Sequence, residues 1–330
     1  MLLRQQTSLD ILIEQLEKYE LESEIIVVEW NPPDHRPRLK DAFHFHDTAR
    51  MVTVRIITVD GRYHRGYRYA DIRPIHCHVA ANVGIRRARA TFVLPRAADT
   101  FYSEPLVKFL ASRLLSANHV YRCDRYDFSA EVLREPGSQT EIFLQACDQN
   151  VVERHGLDAN CPGVPPLRWG TVGDFLLMSS ERWWAIRGFW QTHDVIGWDC
   201  DTLALNAAHG TGASQVVLPQ DCRVFKPAHR LTSNLRVRSN HTPLTSALSR
   251  LARALIPPRI RCSIRYALNV PKRTIEFVDA EVFDSFERIV LPHARKWAKG
   301  IGPFYLNDEN WGLGEVEFPE TVVRRAKWEV

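Results

Sequence analysis

One stretch, residues 81–99, constrains the fold more than any other part of the chain. Its pattern predicts the end of an amphipathic helix, a break at Ala90-Thr91, a short apolar strand from Phe92 to Leu94, and one carboxylate, Asp99, just beyond that strand. In open α/β sheets ligands bind outside the carboxyl ends of the strands, so an acid delivered there is placed for chemistry more than for packing. Asp99 is therefore the first candidate for a functional residue.

The rest of the chain up to about residue 231 repeats this alternation of helix and strand patterns. Thr7 with Asp10 is typical of a capping box, and apolar residues follow at helical spacing, so we expect the chain to open with a helix. Apolar, β-branched runs predict strands at 24–30, 52–59, 92–94, 120–128, 175–178, 215–218 and 223–225. Helical spacing recurs at 104–115, 180–187 and 199–209. The alternation predicts an α/β domain with a mostly parallel sheet flanked by helices.

In two segments of this region the apolar residues show neither helical nor strand-like spacing. Residues 63–78, rich in Arg, Tyr and His, predict a loop, and residues 134–171 carry Pro-Gly and Pro-Pro turn signals. Long loops in compact domains tend to be functional, so we expect the second segment to close over a substrate as a lid.

Composition excludes several classes of protein. The chain is 45% apolar and 25% charged, which is ordinary for a soluble globular protein, and its unbroken apolar runs are far shorter than a bilayer span requires. Its N-terminus lacks the features of a signal peptide. The seven cysteines form no CxxC pair, which favours reduced thiols over disulfides or a structural zinc site. These features predict a cytoplasmic protein.

Charge is distributed unevenly towards the C-terminus. Residues 222–275 contain twelve Lys or Arg and no Asp or Glu, whereas residues 276–330 contain seven basic and eleven acidic residues. This asymmetry predicts a C-terminal extension, residues 232–330, after a first domain at 1–231. The overall charge is only +4 and no nucleic-acid module is recognisable, so we expect no nucleic-acid partner. The basic stretch is either a solvated insertion, which is the commoner case, or a peripheral contact with an anionic membrane through 222–275.

Four sequence blocks together point to a family. They are Val28-Glu29-Trp30-Asn31-Pro32-Pro33, Asn82-Val83-Gly84-Ile85-Arg86-Arg87-Ala88, Gly173-Asp174-Phe175-Leu176-Leu177-Met178 and Asn310-Trp311-Gly312-Leu313. With them the chain resembles the GT-A-fold, nucleotide-sugar-dependent glycosyltransferases, and more closely a family-2-like branch. The resemblance covers most of residues 1–231. It implies a GT-A-like, Rossmann-like domain that transfers a sugar from a nucleoside-diphosphate donor to an unknown acceptor with inversion.

The resemblance also implies a bound Mn²⁺ or Mg²⁺ ion. Asp99 matches the acid of the family's DxD metal site, and His229 matches the late histidine that completes that site in many members. Here Ala97 and Ala98 precede Asp99, so the first acid of the DxD is absent. A lone histidine before a loop is more often a surface residue than a ligand.

The catalytic base that the resemblance implies comes from Asp199-Cys200-Asp201. Inverting enzymes of this fold draw their base from a similar acidic motif, and of the two acids we favour Asp199 over Asp201. Acids at a helix start also serve simply to complement the helix dipole.

The remaining candidate residues would hold the donor and the acceptor. Glu29 and Asn31 would accept hydrogen bonds from the base and ribose, although Asn31 also suits the turn before Pro32-Pro33. Arginine suits phosphate, so we expect one of the two helical arginines to face the diphosphate. The full set comprises Glu29, Asn31, Asn82, Arg86, Arg87 and Asp99 for the donor, and Trp169, Gly173, Asp174 and Trp198 for the acceptor. Core packing is the commoner use of tryptophan.

Two other functions stay open at this point. The first strand of a GT-A domain, expected before the opening helix, is missing, the DxD is incomplete, and Ala81 stands where similar proteins tend to have Lys. These departures suit a catalytically degenerate scaffold that acts as a binding or regulatory subunit. A nucleotidyltransferase would instead turn over a nucleoside triphosphate.

Overall fold

The computed structural model describes most of the first 230 residues and parts of the C-terminal region. The described residues are 2–45, 50–67, 70–71, 74–134, 139–155, 167–191, 200–228, 235–238, 274–277, 290–324 and 326. The helices are α1 Leu2–Lys18, α2 Leu39–Ala42, α3 Gly61–Arg65, α4 Cys77–Arg86, α5 Glu104–Ala111, α6 Thr140–Gln149, α7 Ser180–Ile186, α8 Cys200–Gly210 and α9 Leu291–Ala298. The strands are β1 Ser23–Trp30, β2 Val52–Val59, β3 Phe92–Val93, β4 Phe101–Tyr102, β5 His119–Arg122, β6 Asp124–Phe128, β7 Val151–His155, β8 Met178–Ser179, β9 Ser214–Val217, β10 Arg223–Pro227, β11 Leu235–Arg238, β12 Thr274–Phe277 and β13 Glu320–Arg324.

The first helix confirms the predicted apolar stripe but not its predicted start. Leu9, Leu12 and Leu16 of α1 are buried, as their helical spacing requires. The helix begins at Leu2, and the Thr7 hydroxyl donates to the Leu3 carbonyl at 2.9 Å one turn earlier. Thr7 is thus inside the helix, and its assignment as the cap was wrong.

The two strands predicted at 24–30 and 52–59 pair in parallel. Their register runs from Ser23 opposite Val52 to Trp30 opposite Val59, and β13 adds to the far edge of β2 in antiparallel orientation. The buried strand β2 carries one charge, Arg55, which lies 2.7 Å from Glu24 and 2.9 Å from Glu320. The C-terminal strand therefore brings a counter-charge to a cation in the core.

The predicted strand 120–128 is two strands, β5 and β6, interrupted at Cys123. Strand β5 pairs in parallel with β9, and β6 pairs in parallel with β10. Short antiparallel strands flank β6 and β10, with β7 beside β6 and β4 beside β10. The fold is mixed α/β, built from several small sheets that combine parallel and antiparallel pairs.

Two segments predicted as loops contain regular structure. The predicted lid at 134–171 contains α6 and β7, and Phe143, Leu144 and Cys147 of α6 are buried, so this part packs on the core. Residues 156–166 lie outside the described chain. In the predicted loop 63–78, α3 begins because the Asp60 carboxylate accepts the Arg62 N–H at 2.7 Å.

Residues 290–324 lie against the first part of the chain. Helix α9 packs on α8, and Leu291, Ala294 and Trp297 join the same hydrophobic core as Leu203 and Ala207. In the described parts of the chain, no helix combines the length and the apolar character that crossing a bilayer needs.

Candidate functional site

A buried ion cluster lies on the parallel strands β6 and β10. The 3-10 turn Val172–Asp174 places Asp174 over them, with 8% of the residue exposed. Its Oδ2 accepts from Nη1 of Arg125 on β6 at 2.8 Å, and its Oδ1 accepts from Nζ of Lys226 on β10 at 3.1 Å. Three segments far apart in sequence thus meet at one carboxylate.

The charges of this cluster stabilise Asp174 in its ionised form. Burial alone would raise the pKa of Asp174, but the positive charges of Lys226 and Arg125 outweigh it and lower the pKa below its ordinary value. The pKa of Arg125 is raised, because its two carboxylate partners outweigh the effect of burial. Asp174 is therefore held in its charged form at neutral pH, and both of its oxygens accept hydrogen bonds from the protein.

The cluster continues onto the edge strand β7. Arg125 Nε lies 2.9 Å from Asp127 Oδ1, and His155 Nε2 lies 3.0 Å from Asp127 Oδ2. Glu153 Oε2 lies 3.6 Å from the same imidazole nitrogen. Among the described residues, Asp127, Glu153 and His155 are the one group of at least three His, Cys, Asp or Glu side chains whose ligand atoms lie within 4.8 Å of one another.

A further cation, Arg122, ends strand β5 beside this cluster. It is fully buried, and its Nη2 donates to the Gly170 carbonyl at 2.7 Å, while its Nε and Nη1 find no hydrogen-bond partner in the described structure. Burial lowers the pKa of Arg122 to about 10, against the opposing attraction of Asp201. A polar group left buried without partners costs free energy, so the two unpaired nitrogens of Arg122 destabilise this part of the fold.

Asp201, in the first turn of α8, lies against the turn that carries Asp174. A side-chain carbon on Gly173 would lie 2.7 Å from Asp201 Oδ2, so a larger residue there would require the Asp201 carboxylate to move. The structure therefore brings Gly173, Asp174 and Asp201 of the predicted site together. Trp169 precedes them, but it is 9% exposed and belongs to the hydrophobic core with Val172 and other residues.

Three predicted donor residues lie on α4 or directly after it, and all three make contacts within the fold. Asn82 is fully buried, and its amide donates to the Phe189 carbonyl at 2.7 Å and accepts the Phe189 N–H at 2.7 Å. Arg86 donates to the Trp311 carbonyl at 3.0 Å, and Arg87 donates to the Gly312 carbonyl at 2.8 Å. The contacts of the two arginines tie the second and fourth of the four sequence blocks together. They also occupy the donors that were expected to face a diphosphate.

Glu29 and Asn31 lie at the end of β1 and make contacts within the fold. The Glu29 carboxylate is buried and accepts the Leu39 N–H at 2.7 Å and the Thr58 hydroxyl at 3.1 Å. Asn31 adopts the left-handed conformation, with φ of 50°, as expected for a turn residue. A side-chain carbon on Gly61 would lie 2.7 Å from its Oδ1.

Asp99 does not by itself fit the metal site that the resemblance implies. Its Oδ2 lies 3.2 Å from Nη1 of Arg4 on α1, and its side chain is 21% exposed. Mg²⁺ and Mn²⁺ need several oxygen ligands, and the described residues around Asp99 supply one carboxylate that is already ion-paired. The other predicted ligand, His229, lies outside the described residues, as do Asp199 and Trp198.

Sequence reasoning did not single out Arg122, Arg125, Asp127, His155 or Lys226. A signal was present, because Arg125 and Asp127 are spaced two apart in a predicted strand and so share one face of it. Charged residues on a face that a sheet buries must find partners, which marks them for a site or an ion network.

The comparisons with known proteins add no relative to this picture. No protein-family model matches the chain, and no curated protein matches it. The function therefore rests on the four sequence blocks and on the geometry of the cluster.

Proposed function

We propose that the protein is a glycosyltransferase that moves a sugar from a nucleoside-diphosphate donor to an acceptor, with inversion. The observation that carries this proposal is the packing of Asp201 against Gly173 and Asp174, beside the carboxyl end of the parallel strand β5. Ligands of α/β sheets bind at such strand ends. Both segments come from blocks that the resemblance connects with acceptor binding and catalysis.

Asp201 is the described residue that suits the catalytic base. It is partly exposed, and its Oδ1 accepts only the N–H of the neighbouring Thr202 at 2.9 Å among the described hydrogen bonds. A base must reach the acceptor hydroxyl, and Asp201 has an oxygen available for it. Asp174 differs because Arg125 and Lys226 occupy both of its oxygens, so its role is to position the turn. The preference for Asp199 stays a prediction, as does assistance by Mn²⁺ or Mg²⁺.

Specific contacts favour a second candidate, a degenerate scaffold of the same fold that binds or regulates. Arg4 pairs with Asp99, and the guanidinium groups of Arg86 and Arg87 donate to carbonyls of residues 309–316. A chain that had lost catalysis would retain such contacts, because they stabilise the fold.

Calorimetry separates the two candidates. UDP and GDP are titrated into the full chain with and without Mn²⁺, and turnover of UDP- and GDP-sugars is then followed by nucleotide release. The transferase proposal expects nucleotide binding and slow donor hydrolysis, with hydrolysis lost in Asp201→Asn and kept in Asp221→Asn, whose side chain is exposed. Binding without turnover, or no binding at all, would favour the scaffold.

A cytoplasmic location with peripheral membrane contact through 222–275 belongs to the same proposal. The support is the excess of twelve basic residues without an acid in that stretch. Co-sedimentation with vesicles that contain phosphatidylserine tests it, and equal binding to neutral vesicles would contradict an electrostatic contact.

A further inference from the structure

We propose that Asp127, Glu153 and His155 bind a divalent transition-metal ion, with Zn²⁺ the best fit, on the outer edge of the β6–β7 pair. This site differs from the predicted ion at Asp99, and it does not depend on the transferase proposal. None of its three residues was among the site residues predicted from the sequence.

Strand pairing places the three ligands on one face. In the antiparallel pair β6–β7, Asp127 lies opposite Glu153 and Arg125 lies opposite His155. Residues two apart on a strand share a face, so both pairs point to the same side. The ligand set is fixed by backbone register and not by a mobile loop.

The distances suit one small cation. Zinc bonds to nitrogen and oxygen are about 2.0–2.2 Å long, which puts ligand atoms about 3–4 Å apart around a common ion. His155 Nε2 lies 3.0 Å from Asp127 Oδ2 and 3.6 Å from Glu153 Oε2, and all three ligand atoms lie within 4.8 Å of one another. The side chain of Glu153 is 65% exposed, so it adjusts at little cost.

Arg125 supplies the supporting contact that metal carboxylates usually have. Its Nε lies 2.9 Å from Asp127 Oδ1, and its Nη2 donates to Oδ2 at 3.2 Å, the same oxygen that faces His155 at 3.0 Å. Such outer contacts orient ligands and tune affinity. Arg125 is itself held by Asp174 at 2.8 Å, so the Asp127 carboxylate is fixed before any ion arrives.

Charge and ligand chemistry select the class of metal. Two carboxylates and one imidazole bind borderline first-row ions better than Ca²⁺ or Mg²⁺, which prefer all-oxygen sites. Strand β7 is the edge of its sheet, and the side chain of His155 is 25% exposed. The open side leaves room for water or an external ligand in the remaining coordination positions.

The test uses metal alone on the full chain. Zn²⁺ is titrated calorimetrically into the wild type and into Asp127→Asn, Glu153→Gln and His155→Ala, with His35→Ala and Glu131→Gln as exposed controls. We expect one saturable site, weakened at least about tenfold in each of the three variants and unchanged in the controls. Equal affinity in all six proteins, or no saturable site, would overturn the proposal.

Two further readouts separate this site from thiol sites and from unfolding. Co²⁺ at the site should give d–d absorption without a thiolate-to-cobalt charge-transfer band, and Glu153→Gln should abolish that absorption. Because Glu153 is exposed, its variant should unfold in EDTA at the same urea midpoint as the wild type. A thiolate band that persists in Glu153→Gln would assign the metal to cysteine instead.

Discussion

Replacing Asp174 with asparagine tests the buried cluster without changing its shape. The substitution removes one negative charge and keeps an oxygen that can accept a hydrogen bond. Arg125 Nη1 and Lys226 Nζ now donate to different oxygens, at 2.8 and 3.1 Å. In the variant one of them would donate to the neutral amide oxygen, and the other would face the amide NH2 group, which cannot accept a hydrogen bond. A hydrogen bond to a charged group contributes about 1.5–3 kcal/mol and a neutral one about 0.5–1.5 kcal/mol. The weakened bond costs about 1 kcal/mol and the lost one about 1.5–3 kcal/mol, which together give about 2.5–4 kcal/mol.

The remaining contacts of Arg125 and Lys226 limit the stability that Asp174→Asn can lose. Leaving a buried charge fully uncompensated costs about 3–5 kcal/mol. Arg125 keeps Asp127 at 2.9 Å, and the Lys226 side chain is 18% exposed, so the full penalty should not appear. We expect Asp174→Asn to unfold in urea at a lower midpoint, equivalent to a loss of about 2.5–4 kcal/mol at pH 7.

The stability difference between the wild type and Asp174→Asn should depend on pH. The pKa of Asp174 is lowered in the folded protein, since Lys226 and Arg125 outweigh burial. A carboxyl group with a lowered folded pKa contributes stability above its unfolded pKa of about 3.9, and that contribution is lost as the pH falls through the folded value. The gap between wild type and Asp174→Asn should therefore be full at pH 6 to 7, by the same linkage, and shrink below about pH 4.

Asp221→Asn provides the control, because that residue is exposed. It should stay within about 0.5 kcal/mol of the wild type. The reasoning about the cluster would be refuted if Asp174→Asn behaved like this control at pH 7. It would also be refuted if its deficit were the same at pH 3 and pH 7.

Three further changes test the contacts of α4 and of the C-terminal segment that lies beside it. Asn82→Ala should lower the free energy of unfolding, measured by urea titration, by about 2–4 kcal/mol. The change removes two buried hydrogen bonds of 2.7 Å and leaves the Phe189 N–H unpaired. A loss below about 1 kcal/mol would contradict this reasoning. Gly312→Ala should cost more than Gly212→Ala in thermal unfolding: both have positive φ, but only at Gly312 would the new carbon meet a backbone oxygen, at 2.5 Å. Arg87→Met should speed hydrogen exchange of residues 312–316, whose carbonyls it holds at 2.7–2.9 Å, and unchanged exchange would show that the segment is held otherwise.

The apolar strands were the part of the fold that sequence could predict. Strands β1 and β2 are runs of β-branched residues with clear ends, and both were predicted within one residue of their observed bounds. Their pairing with β13 could not be predicted, because Arg55 and Glu320 are 265 residues apart and short-range patterns carry no information about such contacts. A sheet with one predominant direction was expected, and small mixed sheets are observed because β4, β7 and β13 add in antiparallel orientation.

Only those parts of the candidate site that lie within one short stretch of sequence could be predicted. Gly173 and Asp174 were singled out as a block, and the approach of Asp201 gives the glycine a steric reason. The partners of Asp174 could not be predicted, since Arg125 and Lys226 reach it through strand pairing. Asn82 lies among the buried residues of α4, and this position indicates an internal hydrogen-bonding role that the motif alone obscured.

A crystal structure of the full chain soaked with UDP- and GDP-sugars and Mn²⁺ would show where a donor binds. We expect a bound donor at the carboxyl end of β5, with its sugar facing Asp201 and the turn that ends at Asp174. A donor bound on an unrelated face, or a cluster that stays closed by its own side chains at saturating donor, would contradict the transferase proposal.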